Sequence, residues 1–243
     1  MNDKDQLYQQ LVETRKRFDP SQWGLANPAS IEGGRFDSEH IGPWTVWAHD
    51  LDADLMVFGQ DWGDQDYFTR THGLDKPRNP TNLALLELLK GIGRPIPPPP
   101  LWENLDDKER GNCKVWLTNA LLWLKTDGMS SPVKGAWFKT PSAQFINGQL
   151  EIVSPRVVVA LGMQAYRAIC WAQSLKIPTG SFRRVVEDPG GVSLPGTLGA
   201  KLFGVYHCGA RIQRTLRPLS AQHLDWQRVR DALSAAPSHT LES

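Results

Sequence analysis

The chain has 243 residues, 40% of them hydrophobic, and 27 Lys and Arg against 26 Asp and Glu leave a net charge of +1. That is enough apolar material for one core or two small ones. The charge is too balanced for a disordered tail or for a protein that binds polyanions over its whole surface. No apolar run approaches the roughly 20 residues of a membrane span, and Met1 to Gln6 lacks the basic start and apolar stretch of a secretory signal, so a soluble cytoplasmic chain without a membrane partner is expected.

Cys113, Cys170 and Cys208 are odd in number and widely spaced, which suits free thiols better than a disulfide, zinc or iron–sulfur framework. The six His are equally scattered, so no metal or other cofactor is expected. Ten Trp must mostly serve the core, but any that line a groove would offer flat faces for stacking bases.

In chain order, residues 3–17 form a polar helix with Leu7, Leu11 and Val12 at helical spacing, and the Pro, Gly, Asn and Ser content from Asp19 to Pro43 predicts an irregular arm. Asp54 to Gly59 is a short apolar run ending in glycine, a buried strand. Thr81 is placed to cap a leucine-rich helix that ends near Lys90, with Gly91 at its stop. Pro95 and Pro97 to Pro100 make a stiff surface connection. Lys114 to Thr118 is a second strand, and Thr140-Pro141 opens a helix with Ile146, Leu150 and Val153 on one stripe. Arg156 to Leu161 is a third strand, followed from Gly162 by a helix to about Leu175. Residues 188–200 read as loop, Lys201 to Tyr206 as a fourth strand, and Ser220 to Leu233 as a last helix. There is no internal repeat. Domain limits follow: an N-terminal helix and arm over 1–43, an α/β domain over 44–236, and a tail over 237–243.

Strands separated by helices predict a three-layer α/β/α sandwich around a mainly parallel four-stranded sheet. Ligands of such sheets bind beyond the carboxyl ends of the strands, which here brings Gln60-Asp61-Trp62-Gly63, Asn119, Gly162 and His207-Cys208-Gly209 toward one crevice. Nucleotide-triphosphate, zinc-protease and serine-hydrolase motifs are absent; Gly191 and Gly196 have phosphate-loop spacing without the following Lys.

Gly59-Gln60-Asp61 resembles the first motif of the uracil-DNA glycosylase superfamily, which reads Gly-Gln-Asp-Pro-Tyr in its best-known branch. Leu117 to Ala120 is similar to the strand end that presents the base-reading Asn, Val157 to Gly162 with Ala165 to the next strand and helix start, and Tyr206-His207 to the second motif. The order holds from about residue 51 to 233. The resemblance implies a metal-free, monofunctional DNA glycosylase that flips out uracil, or another deaminated base, and hydrolyses its N-glycosidic bond. The partner is uracil-containing or otherwise damaged DNA, and the chain is expected as a monomer.

Asp61 and His207 would be catalytic. The carboxylate would stabilise the cationic sugar and orient water, and the imidazole would donate to the base oxygen that gains charge. Asn119 would pair with the edge of uracil, Gln60 and its backbone would assist, and Trp62, Phe68 or Tyr67 would stack on or screen the base. Arg211, Arg214 and Arg217 would hold phosphates, and Ile212 or Leu216 would supply the apolar wedge in the minor groove. Trp62-Gly63 replaces Pro-Tyr, Cys208-Gly209-Ala210 replaces Pro-Ser-Pro, and the cluster-binding Cys of the iron–sulfur branch are missing. A non-catalytic module of the same fold that binds nucleic acid or a protein, and hydrolysis of a free nucleoside, stay open as alternatives. The acidic run Asp50, Asp52, Asp54, Asp64 and Asp66, with no Lys or Arg from His49 to Thr69, opposes DNA unless those groups are paired or face away.

Overall fold

The computed structural model describes residues 3–76, 78–101, 108–139, 141–197 and 199–235. Its centre is a five-stranded sheet. Strands β2 (Leu55–Asp61), β3 (Val115–Leu121), β5 (Val157–Leu161) and β7 (Lys201–Val205) are parallel, and the antiparallel edge strand β6 (Val192–Ser193) completes the order β3-β2-β5-β7-β6. The parallel strands are mostly apolar and almost wholly buried because helices cover both faces, with Gln60, Asp61, Thr118, Asn119 and Lys201 as their polar residues.

Alternation sorts the side chains. Met56, Phe58, Trp116, Val158, Ala160 and Leu202 face helices α1 (Asp3–Arg17), α5 (Ala143–Val153) and α6 (Met163–Ala172). Leu55, Val57, Leu117, Val159, Phe203 and Val205 face α3 (Pro80–Gly91) and α9 (Leu219–Ser234). The α/β/α sandwich is therefore as expected, with one strand more. Residues 188–200 contain β6 because Pro195-Gly196 turns the chain back: Ser193 pairs with Lys201, and the Leu194 N–H donates to the Ala200 carbonyl.

The N-terminal segment belongs to the same body. Tyr8 and Val12 are core residues, and Arg15, fully buried, donates to Asp37 at 2.8 Å and to the His40 carbonyl. Strand β1 (Leu25–Ala26) pairs antiparallel with β4 (Leu124–Lys125).

Several boundaries differ from expectation. Asn79, not Thr81, caps α3, its side chain accepting from the Thr81 N–H; Gly91 lies inside that helix, and the left-handed residue is Gly93. Helix α5 starts at Ala143, while Thr140 lies outside the described residues, as does the tail 237–243. The proline segment is packed rather than superficial: the Pro97 carbonyl accepts from Trp47 Nε1, and that of Pro98 from Arg110. Short helices α2 (Gln65–Arg70), α4 (Gly135–Lys139), α7 (Phe182–Val186) and α8 (Ala210–Thr215) occupy stretches not assigned from sequence.

Candidate functional site

The order of the parallel strands reverses at β2: the chain steps to β3 on one side, then returns across β2 to β5 on the other. A crevice opens at the carboxyl ends of these strands. A cavity of about 480 Å³ sits there, lined by Gly59, Gln60, Asp61 and Trp62 from β2 and its exit, Asn119 from β3, Leu161 and Gly162 from β5, and His207 just beyond β7. Trp44, Asp75, Asn79, Thr81, Asn82, Lys125, Met129 and Ile212 complete its walls. The three polar groups predicted to meet therefore do meet.

Strand β2 runs on through Asp61, and Asn119 lies within β3, paired with Gly59. That pairing dictates the glycine: a Cβ at position 59 would stand 2.6 Å from Asn119 Nδ2 and 2.9 Å from the Trp44 ring. Asn119 is only 6% exposed, and no described group hydrogen-bonds its carboxamide. A buried amide facing a cavity with both its donor and its acceptor free is paired by whatever enters.

Asp61 is held on both oxygens. Gln60 Nε2 donates to Oδ2 at 2.6 Å, and Lys125 Nζ stands 3.3 Å from Oδ1. Both members of this ion pair are buried, at 9% and 5% side-chain exposure. The Gln60 carboxamide thus serves Asp61, although the residue also lines the cavity.

His207 Nδ1 accepts the Gly209 N–H at 3.0 Å. That bond fixes the tautomer, leaving Nε2–H as the donor. Burial pushes the His207 pKa below its ordinary value, and the Asp61 carboxylate partly offsets this; the imidazole is neutral at pH 7. Gly209 is required, since a Cβ there would lie 2.9 Å from Nδ1. The Cys208 thiol, its pKa pushed up to about 12 by burial, donates to the Thr81 carbonyl, tying the loop to α3. So the His-Cys-Gly sequence builds a rigid mount for the imidazole without prolines.

Two of the aromatic expectations are corrected. Phe68 has 0% exposure: α2 turns it into a small core with Ile31 and Leu124, where it cannot stack on a ligand. The Tyr67 hydroxyl donates to Asp75 at 2.6 Å, and its ring, 6.2 Å from that of Trp62, buttresses that residue without lining the cavity. Trp62 lines it, with Trp44, which sequence reasoning missed because it lies in an irregular segment. Lys125, Asp75 and Asn82 were missed too. The only mark of Lys125 in the sequence is a lysine closing the apolar run Leu121 to Leu124.

The arginine-rich segment after His207 is helix α8 and its exit, not an open loop. Arg211 and Arg214 are exposed, whereas Arg217 makes a two-point ion pair with the buried Asp225 at 2.9 and 2.5 Å and is committed there. Ile212 lines the cavity, and Leu216, 64% exposed, is the apolar side chain that projects. Four of the five acids of the run are engaged: Asp50 accepts the Lys114 N–H, Asp52 pairs with Lys4, Asp54 pairs with Arg94, and Asp64 caps α2, while Asp66 is exposed in the first turn of that helix. Asp50, Asp52 and Asp54 precede β2, about 20 Å from the cavity at some 3.3 Å per strand residue.

No helix among the described residues is long and apolar enough to cross a membrane. Compared with protein-family models and with curated proteins, the chain matches none.

Proposed function

We propose that the chain is a cytoplasmic DNA glycosylase of the uracil-DNA glycosylase type, which takes an extruded uracil or another deaminated base into this cavity and hydrolyses its N-glycosidic bond. The observation that carries the reading is that Asp61 on β2, Asn119 on β3 and His207 just beyond β7 line one cavity in which the Asn119 carboxamide has no hydrogen-bond partner among the described residues.

Breaking a base–sugar bond builds positive charge on the sugar and negative charge on the departing base. The Asp61 carboxylate stabilises the first and directs a water at the anomeric carbon. The neutral His207 donates from Nε2 to the base oxygen, a fixed dipole aimed where charge develops. Asn119 both donates and accepts along the base edge, so a base with the wrong edge leaves buried polar groups unpaired. Trp44 and Trp62 supply flat walls. Arg211 and Arg214 reach phosphates, and Leu216 stands where a wedge would offset the few kcal/mol of unstacking.

The test is release of free base from single- and double-stranded oligonucleotides carrying uracil, hypoxanthine or xanthine. The wild type should release at least one of these bases, with Asp61→Asn and His207→Ala each slower by about 100-fold or more. Absence of release from every substrate would overturn the proposal. A second reading, a binding module without turnover, is favoured by the engagement of both Asp61 oxygens by Gln60 and Lys125. Salt-sensitive DNA binding that ignores the lesion, with no base released, would select it.

A further inference from the structure

Lys125 is the one cation among the described residues that line the cavity, and its placement is over-determined. Its ammonium faces Asp61 Oδ1 at 3.3 Å and donates to the Met129 carbonyl at 2.7 Å. Its backbone N–H donates to the Gly63 carbonyl at 3.1 Å, and it forms a parallel bridge with Asp64. Across the other edge it pairs with Leu25. Backbone and side chain thus both grip the segment that carries Asp61.

A buried ion pair is a poor device for stability alone, because desolvating two charges consumes most of the attraction between them. It does fix geometry. Asp61 sits on the last residue of β2, where its side-chain torsions are limited on one oxygen by Gln60 and on the other by Lys125. Two donors from different elements set the plane of the carboxylate, and with it the direction in which its remaining lone pairs meet a water or a cationic sugar.

We infer that Lys125 is a positioning residue for Asp61, aiming its carboxylate at the reacting sugar. This rests on the glycosylase reading above. In this role Lys125 acts through Asp61, not on the base, a phosphate or the sugar.

The experiment compares Lys125→Met, Lys125→Arg, Asp61→Asn and the Asp61→Asn/Lys125→Met pair in the full chain, under single-turnover conditions on uracil-containing duplex. Lys125→Met should slow the chemical step about 100-fold, the scale of a misplacement near 1 Å, with affinity for the duplex within about twofold of wild type, as no phosphate contact is lost. Lys125→Arg should recover most of the rate. In the Asp61→Asn background, Lys125→Met should cost nothing further, since a residue that works through another has no effect once the other is gone.

Full speed in Lys125→Met, or an additive loss in the double variant, overturns the proposal. So does a DNA–protein adduct trapped by borohydride and lost in Lys125→Met, which would make Lys125 a nucleophile. If Lys125→Met does not fold, the double variant, which leaves no lone buried carboxylate, and Lys125→Arg still decide through the same rates. A wild type that releases no base defeats the glycosylase reading and this role with it. An active wild type with an indifferent Lys125 defeats this role alone.

Discussion

The two ends of the central sheet use the same kinds of side chain to opposite purposes. At the amino end of β2, Asp50, Asp52 and Asp54 each meet a cation or a backbone N–H, so these three carboxylates are engaged within the protein. At the carboxyl end, Asn119 is held by packing against Gly59 and Trp44 yet makes no hydrogen bond to a described group, and His207 has one nitrogen fixed by Gly209 and the other free to donate. Polar groups that are paired inside the protein build it. Groups positioned by packing and left unpaired wait for something else.

The largest loss is expected at Asp61. Asp61→Asn should lower base release by about 100- to 10,000-fold, and His207→Ala by about 100- to 1,000-fold, both read as single-turnover rates. Next comes Gly59→Ala, whose methyl group must displace Asn119 or Trp44. It should cost about 1–3 kcal/mol in denaturant unfolding and impair base release as well.

Arg211→Gln and Arg214→Gln should each weaken DNA binding irrespective of the lesion and reduce the slope of log affinity against log salt by about one. Arg217→Gln should instead act on stability, because its guanidinium is taken by Asp225.

The folded state keeps His207 neutral below the ordinary histidine pKa of 6.5, where the unfolded chain already takes up a proton. Stability from this site is therefore complete above pH 6.5 and declines as pH falls below it. The drop in Tm between pH 7 and 5 should be smaller by a few degrees in His207→Asn than in wild type. The smallest effect belongs to the other end. Asp54→Asn removes a half-buried pair with Arg94, and should cost about 1 kcal/mol or less while leaving base release untouched.

Most of this frame is readable in the residues. Val157 to Leu161 and Leu55 to Phe58 are continuous apolar runs that can only be strands buried on both faces, and strand ends in a parallel sheet announce where a site must lie. That logic was enough to gather Asp61, Asn119 and His207. It gave no access to partners made by chain reversal. Lys125 reaches Asp61 because a two-residue strand folds back beside Gly63, and neither its length nor its composition marks it. Phe68 misled for the opposite reason: an aromatic residue soon after the motif invites a stacking role, but α2 turns that position toward Ile31. The tryptophan that does face the cavity beside Gly59 sits among turns at position 44, where periodicity carries no signal.

The short ribbon between Leu25-Ala26 and Leu124-Lys125 carries one last consequence. The first few dozen residues, which composition alone would let one trim as an appendage, brace the backbone from which the lysine reaches the acid. A fragment starting at residue 44 would retain every strand of the main sheet and each of the three converging polar residues. It would nevertheless lose the outer brace of the wall they share, so the leading segment belongs to the working parts of the cavity.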